Sequence, residues 1–150
     1  MDPKIYKDTV YKIIGAAMKV HHILGWGLLE PMYNEALHLE LLDQKIDNQP
    51  EQPLACYYKQ HLMKKSYQMD MVVGDIIIEL KSVKELIPAH RMQLFNYLRI
   101  TKKPIGLLIN FGQKRLQGER YAYIEETNEC VLLDKDMNLL YTQETDDGIP

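Results

Sequence analysis

Tyr67-Gln68-Met69-Asp70-Met71-Val72-Val73-Gly74-Asp75-Ile76-Ile77-Ile78-Glu79-Leu80-Lys81 is the segment from which the rest of the chain can be read. Two runs of β-branched and apolar residues flank Gly74-Asp75, and glycine followed by a polar residue suits a two-residue type II′ turn, so the stretch predicts a β-hairpin. If Val73 pairs with Ile76, then Met71 meets Ile78 and Met69 meets Leu80 on one wholly apolar face. The other face carries Val72 with Ile77, Asp70 with Glu79 and Gln68 with Lys81. Directly opposed side chains lie about 4.5–5.5 Å apart, where like charges are destabilising. The paired carboxylates therefore call for a cation, and hard divalent metals favour clustered carboxylate oxygens. The alternative is a solvated edge on which the two charges splay apart, with Lys81 in a weak surface ion pair.

Outward from the hairpin, the chain reads as helices and strands in a definite order. Val10, Ile13, Ile14, Ala17, Met18 and His21 recur at helical spacing, which predicts a helix over about 8–22 that Gly25-Trp26-Gly27 ends. A second helix follows over about 28–44, with Glu30 in its first turn, where a carboxylate also suits the helix dipole. An extended segment over 54–58, a polar turn near Lys59-Gln60 and a strand from Leu62 lead into the hairpin. Pro88 opens a helix over about 89–100, on which Gln93 and Tyr97 share a stripe. Gln93 and Tyr97 can equally form a solvent-facing surface. Ile105-Gly106-Leu107-Leu108-Ile109-Asn110 is a continuous apolar run of the kind that fits a central strand covered on both faces. Strand, helix, strand makes a βαβ unit, which implies a parallel pair. Short strands near 121–124 and 131–133 extend the sheet. The expected architecture is α/β, αβββαβ around a mixed central sheet, as a single domain over 1–143 followed by a disordered acidic tail over 144–150.

Bulk composition narrows the classes without choosing among them. The chain has 150 residues, enough for one domain with a substantial core. Its formal net charge of −3 gives no global attraction to nucleic acid, although a local groove can still be basic. Cys56 and Cys130 are isolated, which argues against a disulfide framework or a zinc site. No apolar run reaches the length of a membrane span. A reducing, cytoplasmic setting is the expectation. His21 and His22 are adjacent at a helix end and point in different directions, which suits packing or capping better than metal ligation.

The combination of Asp70 with, after eight intervening residues, Glu79-Leu80-Lys81, within this order of elements, resembles the PD-(D/E)XK nuclease superfamily, the restriction-endonuclease-like fold. Gly27-Leu28-Leu29-Glu30-Pro31-Met32-Tyr33 resembles the signature of the GxxExxY protein family, a branch of that superfamily. Gln93-Leu94-Phe95-Asn96-Tyr97 is similar to its QxxxY motif, and Leu107 to Gly112 looks like its last core strand. The resemblance spans roughly 10–125. Two departures stand out: Trp26 where the family commonly has a small residue or proline, and Lys59-Gln60-His61 without the usual turn glycine.

The resemblance implies a magnesium-dependent nuclease, with manganese as a substitute, acting on DNA or RNA. Asp70, Glu79, Glu30 and the backbone carbonyl of Leu80 would be the metal ligands. Asp70, Glu79, Lys81 and Glu30 would be catalytic, with Lys81 orienting water or stabilising developing charge. Gln93 and Tyr97 would position Lys81 or a phosphate. His90, Arg91, Arg99, Lys102, Lys103, Lys114 and Arg115 are candidates for a phosphate groove, or else for a solvated charged surface. Nucleic acid is the expected partner, with a second copy of the chain as a candidate. A catalytically inactive binding module on the same fold is the competing class, and a toxin-like factor that uses the same site with a partner is a third.

Overall fold

The computed structural model describes residues 1–141; the expected tail at 144–150 lies outside the described residues. A short 3-10 turn, Pro3–Tyr6, precedes α1 (Lys7–Leu24) and α2 (Glu30–Asp43). Then come β1 (Gln49–Leu54), β2 (Tyr57–Tyr58), β3 (His61–Leu62), β4 (Tyr67–Val73) and β5 (Ile76–Lys81). The chain continues through α3 (Pro88–Thr101), β6 (Ile105–Asn110), β7 (Gln117–Ile124) and β8 (Glu129–Leu133). Six strands form one mixed sheet in the order β1-β4-β5-β6-β7-β8, and β2 with β3 forms a separate two-stranded ladder. The expected α/β architecture, a mixed central sheet flanked by helices, is the one observed.

Two layers of apolar side chains hold this sheet. Val10, Ile13, Ala16, Ala17 and Val20 of α1 and Tyr33, Leu37 and Leu41 of α2 bury one face against Met71, Val73, Ile76, Ile78, Leu80 and Ile109. Leu94, Tyr97 and Leu98 of α3 cover the other face, against Val72, Ile77 and Leu108. β6 is buried along its whole length, as a central strand covered on both sides must be, and pairs parallel with β5. Met18, which the periodicity assigned to a buried face, is exposed, as are Met32 and Leu39 of α2 and Met92 of α3. The helices present narrower apolar stripes than their composition suggests.

The hairpin turn is as expected, with Gly74 at φ 57°, a conformation open to glycine and closed to most residues. Three differences concern the edges of the sheet. The first strand is 49–54, upstream of the expected extended segment, and it contains Pro50 and Pro53. Proline is tolerated there because β1 is an edge strand paired on one side only. The segment 57–62 leaves the sheet as its own hairpin, turning at Lys59 with φ 56°. β7 begins four residues before the expected position, at Gln117.

α3 sits close to β6 because Gly106 has no side chain; a Cβ there would lie 2.9 Å from Leu98 Cδ1. Gly112 is tighter, since a Cβ would meet the backbone of Val83 at 2.1–2.6 Å. Gly15, by contrast, is exposed in the middle of α1 with nothing within 4 Å of such a Cβ. Gly112→Ala should therefore cost about 1–3 kcal/mol through forced backbone movement, whereas Gly15→Ala should add about 0.5–1 kcal/mol through helix propensity. Urea unfolding of the two variants checks the opposite signs.

Candidate active site

The ladder between β4 and β5 runs through Val73↔Ile76, Val72↔Ile77 and Met71↔Ile78, the first three pairs of the expected register. It stops there. At the next position the backbone groups are bridged by carboxylates: Asp70 Oδ2 accepts from the Leu80 N–H at 2.8 Å, and Glu79 Oε1 accepts from the Asp70 N–H at 3.1 Å. The two acids are thus wedged into a fork where the strands part. On the other side of β4, the register with β1 sets Glu51 opposite Asp70, and Glu51 has a left-handed φ of 52°. Both strands bend at this level. Met69, expected on the face of Met71 and Leu80, packs instead with the α3 layer.

Glu79 is only 1% exposed. Burial, followed by the negative charge of Asp70, pushes its carboxyl well above the usual range, and the Asp70 N–H and Lys81 offset this in part. Asp70 is also raised, first by burial and then by Glu30, against the pull of the Leu80 N–H and Lys81. Neither acid forms an ion pair within 4.0 Å among the described residues.

Lys81 extends toward α3. Its Nζ donates to Gln93 Oε1 at 2.8 Å, Gln93 Nε2 donates to the Tyr97 hydroxyl at 3.1 Å, and that hydroxyl donates to the Gln68 carbonyl at 3.4 Å. The order fixes the amide. Because Tyr97 spends its proton on a carbonyl, it accepts from the Gln93 amide, which leaves the Gln93 oxygen to face the lysine. Gln93 and Tyr97 therefore hold Lys81 rather than forming a solvent-facing surface; Tyr97 is 3% exposed.

Glu30 is the first residue of α2, and its placement depends on the loop before it. Gly25 and Gly27 have φ of 79° and 86°, which admit glycine readily. The fully buried Tyr33 stacks on Phe111, donates to the Gly25 carbonyl at 2.8 Å and accepts from the Leu28 N–H at 3.0 Å. Gly27 N–H donates to the Phe111 carbonyl, and Ser82 Oγ donates to the Leu28 carbonyl. The glycine and tyrosine of the signature thus hold the loop that delivers its glutamate. Trp26, on this loop, is exposed.

Glu30 and Asp70 line one cavity of about 160 Å³, together with Asn34, Glu51 and Gln68. Among the described residues, however, no three His, Cys, Asp or Glu side chains converge closely enough to hold a metal ion. Asp70 and Glu79 are brought together; Glu30 shares the cavity with Asp70.

Four residues near the site escaped the sequence reading or were read otherwise. Asn34 Oδ1 is buried in that cavity wall with no hydrogen-bond partner. Its spacing of four from Glu30 on one helix was the available signal. Glu51 carried none, because a backbone angle does not show in an edge-strand sequence. Asn110 is fully buried and accepts from the N–H groups of Val83 and Gly112 while donating to the Val83 carbonyl, clamping the segment after Lys81 to the loop after β6. His90 caps α3 through Nδ1, which accepts from the Ile87 N–H. Burial and the nearby Lys81 charge hold its pKa low.

The donor set fits a hard divalent cation. Glu79, which is buried, and Asp70, which is half-buried, both have raised pKa and no cationic partner within 4.0 Å among the described residues, and an orphaned amide oxygen lines the adjoining cavity.

A mixed sheet with an acid pair at a strand fork, a lysine two residues on and a supporting glutamine and tyrosine defines a restriction-endonuclease-like protein. A family model of the PD-(D/E)XK nuclease superfamily matches residues 7–121, and the chain belongs to that superfamily. No curated protein matches it. Among solved structures, the crystal structure of SSO0001 is similar at 22% identity and a TM-score of 0.46 over 65% of this chain; the match spans 55% of that protein's chain.

The raised carboxyls give a signed pH dependence. A Glu79 pKa above its unfolded value means that the native state keeps a proton the unfolded chain has lost. In metal-free protein, stability should fall as pH rises from the ordinary carboxylate range through the raised value. Urea midpoints between about pH 5 and pH 9 should show that fall, and Glu79→Gln should make it shallower. An unchanged slope in the variant would place the effect elsewhere.

Proposed function

We propose that this protein is a metal-dependent nuclease of the GxxExxY branch, hydrolysing phosphodiester bonds of DNA or RNA with magnesium, or manganese in its place. The observation that carries the reading is the joint geometry of the fork and the lysine: a buried Glu79 and a half-buried Asp70, neither in an ion pair among the described residues, beside an ammonium group held by Gln93 and Tyr97.

When bound, the cation supplies polarisation of water and neutralisation of charge on the phosphate. Asp70 and Glu79 would hold it, with the Leu80 carbonyl as a further oxygen and Glu30 as the outer acid. Lys81 has no ion pair within 4.0 Å among the described residues, so its charge is available to orient the attacking water or to meet negative charge developing on the phosphate. Gln93 keeps that ammonium group pointed away from the carboxylates, and Tyr97 keeps Gln93 in the required amide orientation. One domain carries all of these groups. The free cysteines Cys56 and Cys130 accord with the reducing, cytoplasmic setting in which we place it.

The second reading is a binding module on the same fold without catalysis. It is favoured by one fact, that Glu30 does not join Asp70 and Glu79 in a preassembled triad. Cleavage of labelled DNA and RNA in manganese separates the two. Asp70→Ala and Lys81→Ala should each lower the rate by about 100-fold or more, and Gln93→Ala, which frees the lysine without removing it, by less. Full activity in both Asp70→Ala and Lys81→Ala would exclude the nuclease reading for this site.

A further inference from the structure

We infer that the cavity bounded by His21, His22, Lys114, Arg115 and Arg120 binds backbone phosphates of a polynucleotide strand that crosses this end of the sheet toward the carboxylate centre. The inference rests on the nuclease reading for the identity of the strand, and on separate observations for the site.

The cavity has a volume of about 510 Å³, and its other walls are Ile14, Met18, Leu116 and Gly118, so no acidic side chain lines it. Such a concentration of donors stands out on a chain whose net charge is −3. Arg120 Nε is buried without a hydrogen-bond partner, and Arg120 forms no ion pair within 4.0 Å among the described residues. The nearest acid acting on it, Asp134, spends its oxygens on the Asp136 and Asn138 N–H groups and the Asn138 side chain. A buried guanidinium nitrogen left unpaired is costly unless an anion completes it.

The remaining basic residues of the expected groove are engaged in the protein's own structure. Arg91 makes a two-pronged pair with Glu119 at 2.8 and 2.9 Å. Arg99 donates to the Asn128 carbonyl, Lys102 to the Tyr123 hydroxyl and Lys103 to the Gly74 carbonyl. Lys114 and Arg115 stay exposed beside the cavity.

Position supports the same ligand. Arg120 pairs with Leu107 and Leu133, both in the α1 layer, whereas Lys81 reaches α3, so the two sites lie on opposite faces. They share one end of the sheet, because His21 at the end of α1 is bonded through Nε2 to the Gln113 carbonyl just past β6, and Gln113 is bonded to the Lys84 carbonyl just past β5. Lys81, Asn110 and Gln117 are in register across three adjacent strands. At about 4.8 Å per strand, β7 lies about 10 Å from the strand of Lys81.

The test is equilibrium binding of fluorescein-labelled DNA and RNA oligonucleotides, single and double stranded, in metal-free buffer across a salt series. Lys114→Ala/Arg115→Ala should weaken binding and reduce the slope of log affinity against log salt by about 0.9 per lost contact on duplex or 0.7 on single strands. Arg120→Gln, with folding checked by circular dichroism, should act in the same direction. The exposed pair Lys64→Ala/Lys135→Ala should leave the slope unchanged. Whichever oligonucleotide shows the effect identifies the strand type. An unaltered slope in the Lys114/Arg115 variant, or equal loss in the Lys64/Lys135 control, would overturn the inference while leaving metal-dependent cleavage untouched. Absence of binding to every oligonucleotide would overturn it too, and manganese-dependent cleavage assayed in parallel would show whether the nuclease reading falls with it.

Discussion

The reciprocal bonds at the strand fork, from the Leu80 N–H to Asp70 and from the Asp70 N–H to Glu79, are the constraint around which the rest of the molecule is arranged. A β-ladder ordinarily satisfies its own backbone, but here two side chains do so. The substitution keeps β4 and β5 joined while their backbones diverge, and it draws two like charges into a buried place. Packing on both faces of the sheet makes that tolerable: the α1–α2 layer grips Ile78 and Leu80 on one side, and the α3 layer grips Ile77 and Leu108 on the other. Burial then raises both carboxyls. The price of the arrangement is a native state that resists ionising both groups; under the proposed function, a bound divalent cation would remove that conflict.

Everything else near the fork either aims a group at it or fixes the distance from which it is aimed. The Gly25–Leu28 loop, held by the Tyr33 hydroxyl and the stacking of Tyr33 on Phe111, fixes the start of α2 and with it Glu30. Asn110 clamps the segment after Lys81. The Arg91–Glu119 pair ties α3 to β7, and Glu119 is kept ionised because Arg91 and Tyr121 together outweigh its burial. A fixed α3 in turn means a fixed Gln93 and a fixed Lys81. The signature residues Gly27, Glu30 and Tyr33 thus act as one mechanical unit, with a single charged group as its output.

Much of this was legible in the sequence, and the parts that were not share a cause. The hairpin, the turn at Gly74, the parallel partner at 105–110 and the Gln93–Tyr97 stripe all follow from local periodicity and turn chemistry, which short-range physics controls. The acids were read as a directly opposed cross-strand pair, whereas the ladder ends at Met71 and Ile78 and the two carboxylates meet through backbone N–H groups, an arrangement that strand alternation does not encode. The first strand starts before the expected extended segment because Pro50 and Pro53 are tolerated on a strand with one neighbour. The start of β7 at Gln117 lay outside the expected strand because Glu119 and Arg120 find their surroundings on α3 and on the α1 layer, distant in sequence. Asn34 offered a helical spacing from Glu30 and nothing more; its unpaired oxygen appears only once the cavity closes around it.

Under the proposed function the fork is a cation site, with its two carboxylates held in wait by backbone N–H groups. A crystal structure of the protein soaked in manganese tests it most directly, through the anomalous signal of the ion. The account predicts a peak between Asp70 and Glu79, close to the Leu80 carbonyl, with at least one carboxylate oxygen turned away from its N–H donor toward the ion. A map with no peak there, and with the Asp70–Leu80 and Glu79–Asp70 bonds unaltered at saturating manganese, would contradict it.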